Sequence, residues 1–139
     1  MIMPIHSLDD LEEFMVEVEL EETVPLEPEP AADLTGLEPQ VAEFFAPDGP
    51  LRHSAEYGGR PYEYRSQQAL MARAVAAALA AGRNLAIEAP TGVGKSFAYL
   101  VPLIYLAQKL PHPLIVTTET INLQEQLIAR DLPLLARLT

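Results

Sequence analysis

A short glycine-rich stretch carries the residues in this sequence that are best suited to chemistry. Its spacing is that of a Walker A phosphate-binding loop, with alanine in the position of the first glycine: Ala89, Pro90, Thr91, Gly92, Val93, Gly94, Lys95 and Ser96. Side chains at Gly92 and Gly94 would keep the backbone from wrapping phosphates and would disfavour a positive φ. The Lys95 ammonium suits the β- and γ-phosphates, and the Ser96 hydroxyl suits the accompanying Mg²⁺. The stretch predicts nucleotide binding, and the competing interpretation is a glycine-rich turn with an exposed lysine.

The residues on either side predict a strand–helix–strand unit that would hold this loop. An apolar run, Asn84–Glu88, precedes the loop, and a β-branched run, Leu114–Thr118, follows it. Both are typical of buried parallel strands. Between them, Lys95–Lys109 has the length and apolar content of a helix, with Pro102 as a kink or break. The unit predicts an α/β fold.

Two more helices are expected around this unit. One runs over Ser66–Ala81 and stops at Gly82, and its apolar residues predict one broad buried face: Leu70, Met71, Ala74, Val75, Ala78 and Leu79. The other follows the second strand, where Thr120 can cap a helix that displays Ile121, Leu127 and Ile128. Pro133 marks its end or a restart.

Charge and proline content set the beginning of the chain apart. The whole chain has a net charge of −11, and residues 1–50 contain 14 of the 20 acidic side chains, 7 of the 13 prolines and none of the 9 basic side chains. Such a composition extends a chain and resists collapse. We expect residues 1–39 to form an acidic, largely disordered segment, with a flexible linker over residues 17–37 and a short helix over Ser7–Val16. Its expected role is solubility, and the alternative is that it binds a partner.

Several classes of site are excluded or disfavoured by residue content. The sequence has no cysteine, which excludes disulfides, cysteine-ligated zinc and a thiol nucleophile. The histidines His6, His53 and His112 lack metal-ligand spacing, so no metal site built from protein ligands is expected. An apolar run of about 18 residues and the basic, apolar pattern of a signal peptide are both missing, so the cytoplasm is the expected location.

The loop and its flanking segments together resemble the XPD/DinG group of superfamily-two DNA helicases. Glu88–Ser96 is similar to motif I of DinG-type bacterial members, and four further segments support the resemblance: Phe44–Leu51, Tyr62–Met71, Val116–Leu127 and Arg130–Pro133. The similarity covers roughly residues 40–139. It implies the first part of a RecA-like ATP-binding domain over these residues, preceded by the acidic segment.

The resemblance implies an adenine-recognition role for Tyr62–Met71. In the family's segment an arginine precedes the glutamine by three residues and a methionine follows it by three. The resemblance therefore assigns this role to Arg65, Gln68 and Met71. A glutamine amide carries a donor and an acceptor on one plane, so Gln68 could pair with adenine N6 and N7. Gln67 is the nearby alternative.

The resemblance also implies a contact with the backbone of single-stranded DNA. The Val116–Leu127 segment is similar to motif Ia, and the hydroxyls of Thr117, Thr118 and Thr120 suit phosphate contacts that carry no sequence information. Ordinary strand-end capping by the same threonines is the alternative interpretation.

A complete helicase needs groups that these 139 residues do not contain, namely an acidic Mg²⁺-binding box and a second RecA-like domain with arginines for the transition state. We expect an incomplete P-loop NTPase domain, the N-terminal piece of a helicase, that binds ATP with Mg²⁺ weakly and without measurable hydrolysis. The full-length parent would travel 5′ to 3′ on single-stranded DNA and separate a duplex. An iron–sulfur cluster is left open for that parent and is not bound by this chain. The alternatives are another P-loop enzyme, such as a small kinase, and a non-enzymatic remnant that acts through its acidic segment.

Overall fold

The computed structural model describes residues 32–53, 62–111 and 113–139, which belong to a compact unit running from Ala32 to Thr139. The helix expected over Ser7–Val16 lies outside the described residues. Within them are five α-helices, a 3₁₀ turn at Pro50–His53 and a π-helical turn at Leu127–Asp131. The helices are α1 (Leu37–Phe44), α2 (Ser66–Ala80), α3 (Lys95–Ala107), α4 (Ile121–Gln126) and α5 (Leu132–Leu135).

The core lies where α1, α2 and α3 pack together. Helix α1 contributes Leu37, Val41 and Phe44, which share one face and are fully buried, so this helix crosses the boundary predicted between residues 39 and 40. The Phe44 ring meets the Tyr105 ring of α3 edge to face, with 6.3 Å between centroids. The C-terminal turns close one side of this core with Leu127, Leu134 and Leu135.

Helix α2 confirms the predicted bounds to within one residue and the predicted face in part. It ends at Ala80, and Gly82 follows with a φ of +59°, the left-handed conformation that glycine adopts readily after a helix. Of the predicted face, Ala78 is buried and Met71 and Leu79 pack against the core, whereas Leu70 is 69% exposed. The fully buried residues of the helix are Gln68, Ala72 and Ala76. The prediction weighted large apolar side chains, whereas this helix buries mainly alanines on the face that meets the core. Small side chains allow helix backbones to approach closely, and Gln68 satisfies its amide with hydrogen bonds described below.

Helix α3 runs without interruption through Pro102. The predicted helix over Lys95–Lys109 is therefore confirmed to within two residues, and the predicted break does not occur. Proline in a helix interior removes one backbone hydrogen bond, and here its ring is buried in the apolar environment of the core.

The two predicted strands are wrong for the described residues, in which neither Asn84–Glu88 nor Leu114–Thr118 forms a β-ladder. Apart from half-buried Leu114, their apolar side chains are exposed rather than buried, and Ile115 reaches 88% exposure. A parallel strand exists only through hydrogen bonds to a neighbouring strand, and no described segment pairs with either run. The sequence pattern identified segments suited to a sheet, but a pattern does not supply the partner.

The predicted cap at the start of the C-terminal turns is confirmed, whereas the predicted apolar face is mostly exposed. Thr120 caps α4, because its hydroxyl accepts a hydrogen bond from the Leu123 backbone N–H at 3.3 Å. Ile121 and Ile128 are exposed, at 73% and 62%, and Leu127 is the one member of the predicted face that is buried. Pro133 lies in the first turn of α5, so of the two predicted outcomes a new helix begins there. Proline lacks a backbone N–H donor, which is consistent with the π-helical turn that precedes it.

Within the described ranges, no helix is long and apolar enough to cross a membrane.

A test of the close-packed alanine face is Ala76→Leu, which adds three carbons to a fully buried position on α2. Overpacking is expected to lower the free energy of unfolding by about 1–3 kcal/mol. Ala80→Leu, at the exposed end of the same helix, is the control and should change it by no more than about 0.5 kcal/mol. Urea denaturation followed by circular dichroism measures both, and equal effects would contradict this packing.

Candidate functional site: the phosphate loop and its supports

The glycine-rich loop turns directly into α3. Gly92 and Gly94 have φ values of +85° and +87°, and Gly94 occupies the N-cap position before Lys95. Non-glycine residues adopt this left-handed region at a cost, so the predicted need for glycine is confirmed at both positions. At Gly94 a second reason applies, because an added Cβ would overlap the Gln68 side-chain nitrogen. The loop is anchored in the core by Val93, which is 7% exposed.

Lys95 spans the loop that precedes it. Its Nζ donates a hydrogen bond to the Ala89 carbonyl at 2.7 Å, and the side chain is otherwise exposed. The Lys95 ammonium therefore lies across the loop. A bound anion would compete with the neutral Ala89 carbonyl for this ammonium, and the hydrogen bond to the anion would be the stronger one.

Ser96 is partly exposed in the first turn of α3 and lies beside Tyr99. Burial raises the pKa of the Tyr99 phenol, a hydrogen bond with Ser96 opposes that effect, and the Asp131 carboxylate adds to it. The direction of the shift keeps Tyr99 neutral at physiological pH. The Ser96 hydroxyl thus has a polar neighbour within the helix, the Tyr99 phenol.

Two side chains from the start of α2 hold the loop's backbone. Arg65 Nη1 donates to the Gly92 carbonyl at 2.5 Å, and Gln68 Nε2 donates to the Gly94 carbonyl at 2.9 Å. Tyr62 completes the arrangement by donating its hydroxyl proton to Gln68 Oε1 at 2.7 Å. Arg65 and Gln68 therefore contact the loop directly, although they lie 27 and 26 residues before the loop residues that they contact.

The residues predicted to recognise adenine occupy different environments. Gln68 is fully buried behind the loop, whereas Gln67 is exposed. Gln67 lines an open cavity of about 420 Å³ together with Tyr64, Arg65, Ser66 and the loop residues Pro90 to Val93. Met71 lies farther along α2 and packs against the core.

The predicted DNA-contacting threonines lie together at the start of α4. Thr120 caps the helix, and the Thr118 hydroxyl donates to the Thr120 carbonyl at 3.3 Å. Thr117 is exposed, and with Thr118 it borders an apolar cavity of about 560 Å³ between α3 and the C-terminal turns. The Thr120 hydroxyl thus caps a helix, and the Thr118 hydroxyl bonds to the backbone at the start of that helix.

Two features of this region were not predicted from the sequence. The Tyr62 hydroxyl is a partner of Gln68, and its position within the quoted Tyr62–Met71 segment was the available signal. Asp131 is buried at 2% exposure and accepts a hydrogen bond from Gln126 Nε2 at 3.0 Å across the π-helical turn. Sequence gives little warning of a buried carboxylate, because aspartate is usually exposed.

Comparison with known proteins identifies the family to which this chain belongs. The sequence model described as "DEAD/DEAH box helicase" matches residues 65–134, half of the chain, and includes the loop and both supporting side chains from α2. The chain belongs to the DEAD/DEAH box helicase family. The family implies a RecA-like fold. No solved structure matches the chain significantly.

Individual relatives confirm the resemblance to DinG-type proteins. The chain is 47% identical over 76 residues to proteins named "ATP-dependent DNA helicase DinG" from Escherichia coli K12 and Salmonella typhimurium LT2. It is 42% identical over 73 residues to "3'-5' exonuclease DinG" from Bacillus subtilis 168. The first two alignments cover 53% of this chain and 11% of the relatives, and the third covers 52% and 8%. The aligned stretch is thus about a tenth of the length of these relatives.

The donors present suit a metal ion that arrives with a nucleotide. Among the described residues, no group of three or more His, Cys, Asp or Glu side chains could hold a metal ion. The loop carries two hydroxyls, those of Thr91 and Ser96, and Mg²⁺ in proteins is commonly held by few protein ligands together with substrate phosphates. The family implies ATP and Mg²⁺ as ligands.

A test of the loop geometry is Gly94→Ala compared with Gly82→Ala. Both substitutions place a side chain at a positive φ, which costs about 1–2 kcal/mol of unfolding free energy. Gly82 has open space around it, whereas Gly94 faces Gln68. Denaturant unfolding should show the larger loss for Gly94→Ala, and equal losses would show that Gln68 does not pack against the loop.

Proposed function

We propose that this chain carries the ATP-binding loop of a DinG-type DNA helicase, and that Ala89–Ser96 binds the phosphates of the nucleotide. One observation carries the proposal: Gly92 and Gly94 are left-handed immediately before α3, where Lys95 and Ser96 begin the helix. This geometry suits a phosphate because the first backbone N–H groups of a helix lack partners within it and lie at the positive end of its dipole.

Each loop residue has a chemical role in this proposal. Lys95 exchanges its bond to the Ala89 carbonyl for the β- and γ-phosphates, and the glycines let the backbone approach them. Ser96 holds the Mg²⁺ that is bound by the phosphates, and that ion supplies charge neutralisation and fixes the phosphates in place. Pro90, Thr91 and Val93 complete the loop, and Val93 attaches it to the core.

The adenine side of the site is proposed at the start of α2. Arg65 and Gln68 contact the loop carbonyls, so a base bound near them would lie next to the phosphates. We place the base in the open cavity bordered by Arg65, Gln67 and Pro90, which adjoins the loop. The family match supports ATP as the ligand and a helicase over another P-loop enzyme.

The whole-protein activity is proposed from the relatives. Two of them are named ATP-dependent DNA helicases, and we extend that activity to a full-length protein containing this chain. It would couple ATP hydrolysis to movement along single-stranded DNA and to duplex unwinding. Thr117, Thr118 and Thr120 are the proposed contacts with the DNA backbone, supported by the exposure of Thr117 beside the start of α4. Such phosphate contacts position a protein on DNA without reading bases.

The test of nucleotide binding is Lys95→Ala, with Lys109→Ala as the matched control at the opposite end of α3. Losing the ammonium is expected to weaken ATP binding by about 10- to 150-fold, which corresponds to about 1.5–3 kcal/mol. Lys109→Ala should leave the affinity within about twofold, because an exposed charge far from the loop contributes little. Equilibrium titration with Mg²⁺ and ATP measures both.

Equal ATP affinities for the wild type and the Lys95→Ala variant would contradict the proposal and favour the alternative, a glycine-rich turn with an exposed lysine. Circular dichroism of each variant establishes that a lost affinity does not come from lost folding.

A further inference from the structure

A partly buried hydrogen-bonded path connects the protein core with the phosphate loop. It runs from the Tyr62 hydroxyl to Gln68 Oε1 at 2.7 Å, and from Gln68 Nε2 to the Gly94 carbonyl at 2.9 Å. Gln68 is 0% exposed, and Tyr62 packs against the core. A buried amide is costly unless both of its ends are paired, so each member of this path depends on the next.

The orientation of the amide follows from the partners. The Gly94 carbonyl can only accept a hydrogen bond, so Gln68 must present its NH₂ group to the loop. The amide oxygen then faces Tyr62, whose hydroxyl must donate. Reversing the amide would place two acceptors against each other at Gly94. The Gly94 carbonyl therefore selects this orientation, and the Tyr62 hydroxyl, which can donate or accept, stabilises it by donating to the amide oxygen.

Holding the Gly94 carbonyl also fixes a donor on the other side of the same peptide. The Gly94 carbonyl and the Lys95 N–H belong to one planar peptide unit and point in opposite directions. That carbonyl also accepts the Ala98 N–H at 3.3 Å, which starts the hydrogen bonding of α3. Gln68 thus helps to set the direction of the first helical N–H, one of the groups proposed above to bind phosphate.

We propose that Tyr62 is a positioning residue for phosphate binding and that it acts through Gln68 on the Gly94–Lys95 peptide. The inference rests on the proposed function of the loop and adds a role for a residue outside it. It also separates two tasks within the start of α2. Buried Gln68 supports the phosphate site, and exposed Gln67 faces the cavity proposed for the base.

The experiment compares Tyr62→Phe with the wild type for three ligands, each with Mg²⁺: ATP, GTP and inorganic pyrophosphate. The loss of one hydrogen bond in the path should weaken all three by the same factor, about 3- to 10-fold. Pyrophosphate has no base, so a role limited to adenine recognition would leave its affinity unchanged. Tyr105→Phe is the matched control, because it removes a hydroxyl from the same core far along α3 and should change no affinity.

A second variant keeps the test decisive if Tyr62→Phe disturbs folding. Gln68→Glu retains the side-chain size and an acceptor for Tyr62 but loses the donor to Gly94, and it should weaken pyrophosphate at least as much as Tyr62→Phe does. Because Tyr62 acts through Gln68, adding Tyr62→Phe to Gln68→Glu should lower the pyrophosphate affinity little further.

Three results would overturn the inference: unchanged pyrophosphate affinity in Tyr62→Phe, a loss confined to ATP, or losses that add fully in the double variant. If the wild-type chain itself binds neither ATP nor pyrophosphate, the proposed function fails and this inference fails with it. Binding by the wild type together with an unaffected Tyr62→Phe variant refutes only the positioning role.

Discussion

The backbone of Gly94 is the constraint on which the described structure around the loop depends. Its φ of +87° turns the chain from the loop into α3, and its carbonyl is held by Gln68 while it also begins the helix. Lys95 and Ser96 follow immediately, so their placement is determined by that one peptide. The space next to Gly94 is filled by an amide rather than left open, which makes glycine necessary there for two independent reasons.

The helices of the core hold the Gly94 backbone in this position. Alanines on α2 occupy the buried face that meets the core, and Gln68 is on the same face two turns before Ala76. A packed core transmits position well because its side chains have little room to move. The loop is therefore supported from behind by α2 and attached in front by Val93, while Lys95 and the outer side of the loop are exposed to ligands.

Local signals in the sequence predicted local backbone conformation more successfully than the tertiary fold. The positive φ at Gly92 and Gly94, the cap at Thr120 and the bounds of α2 each depend on one or a few neighbouring residues, and all are found. The strands at Asn84–Glu88 and Leu114–Thr118 depend on partners distant in sequence, and the described residues provide none. The buried face of α2 was predicted only in part, because hydrophobicity alone does not show which small side chains permit close packing. The contact between Tyr62 and Gln68 likewise depends on tertiary structure.

The central claim is that the loop from Gly92 to Ser96 binds polyphosphate. It is tested most directly by backbone amide NMR of the whole chain during titration with Mg²⁺ and ATP, followed by pyrophosphate and by AMP. The account predicts that ATP and pyrophosphate cause their largest shifts at the amides of Gly92 to Ser96, and that AMP, which lacks the β- and γ-phosphates, leaves these amides nearly unchanged. Shifts concentrated in the apolar cavity beside Thr117, or no shifts at millimolar ATP, would contradict it.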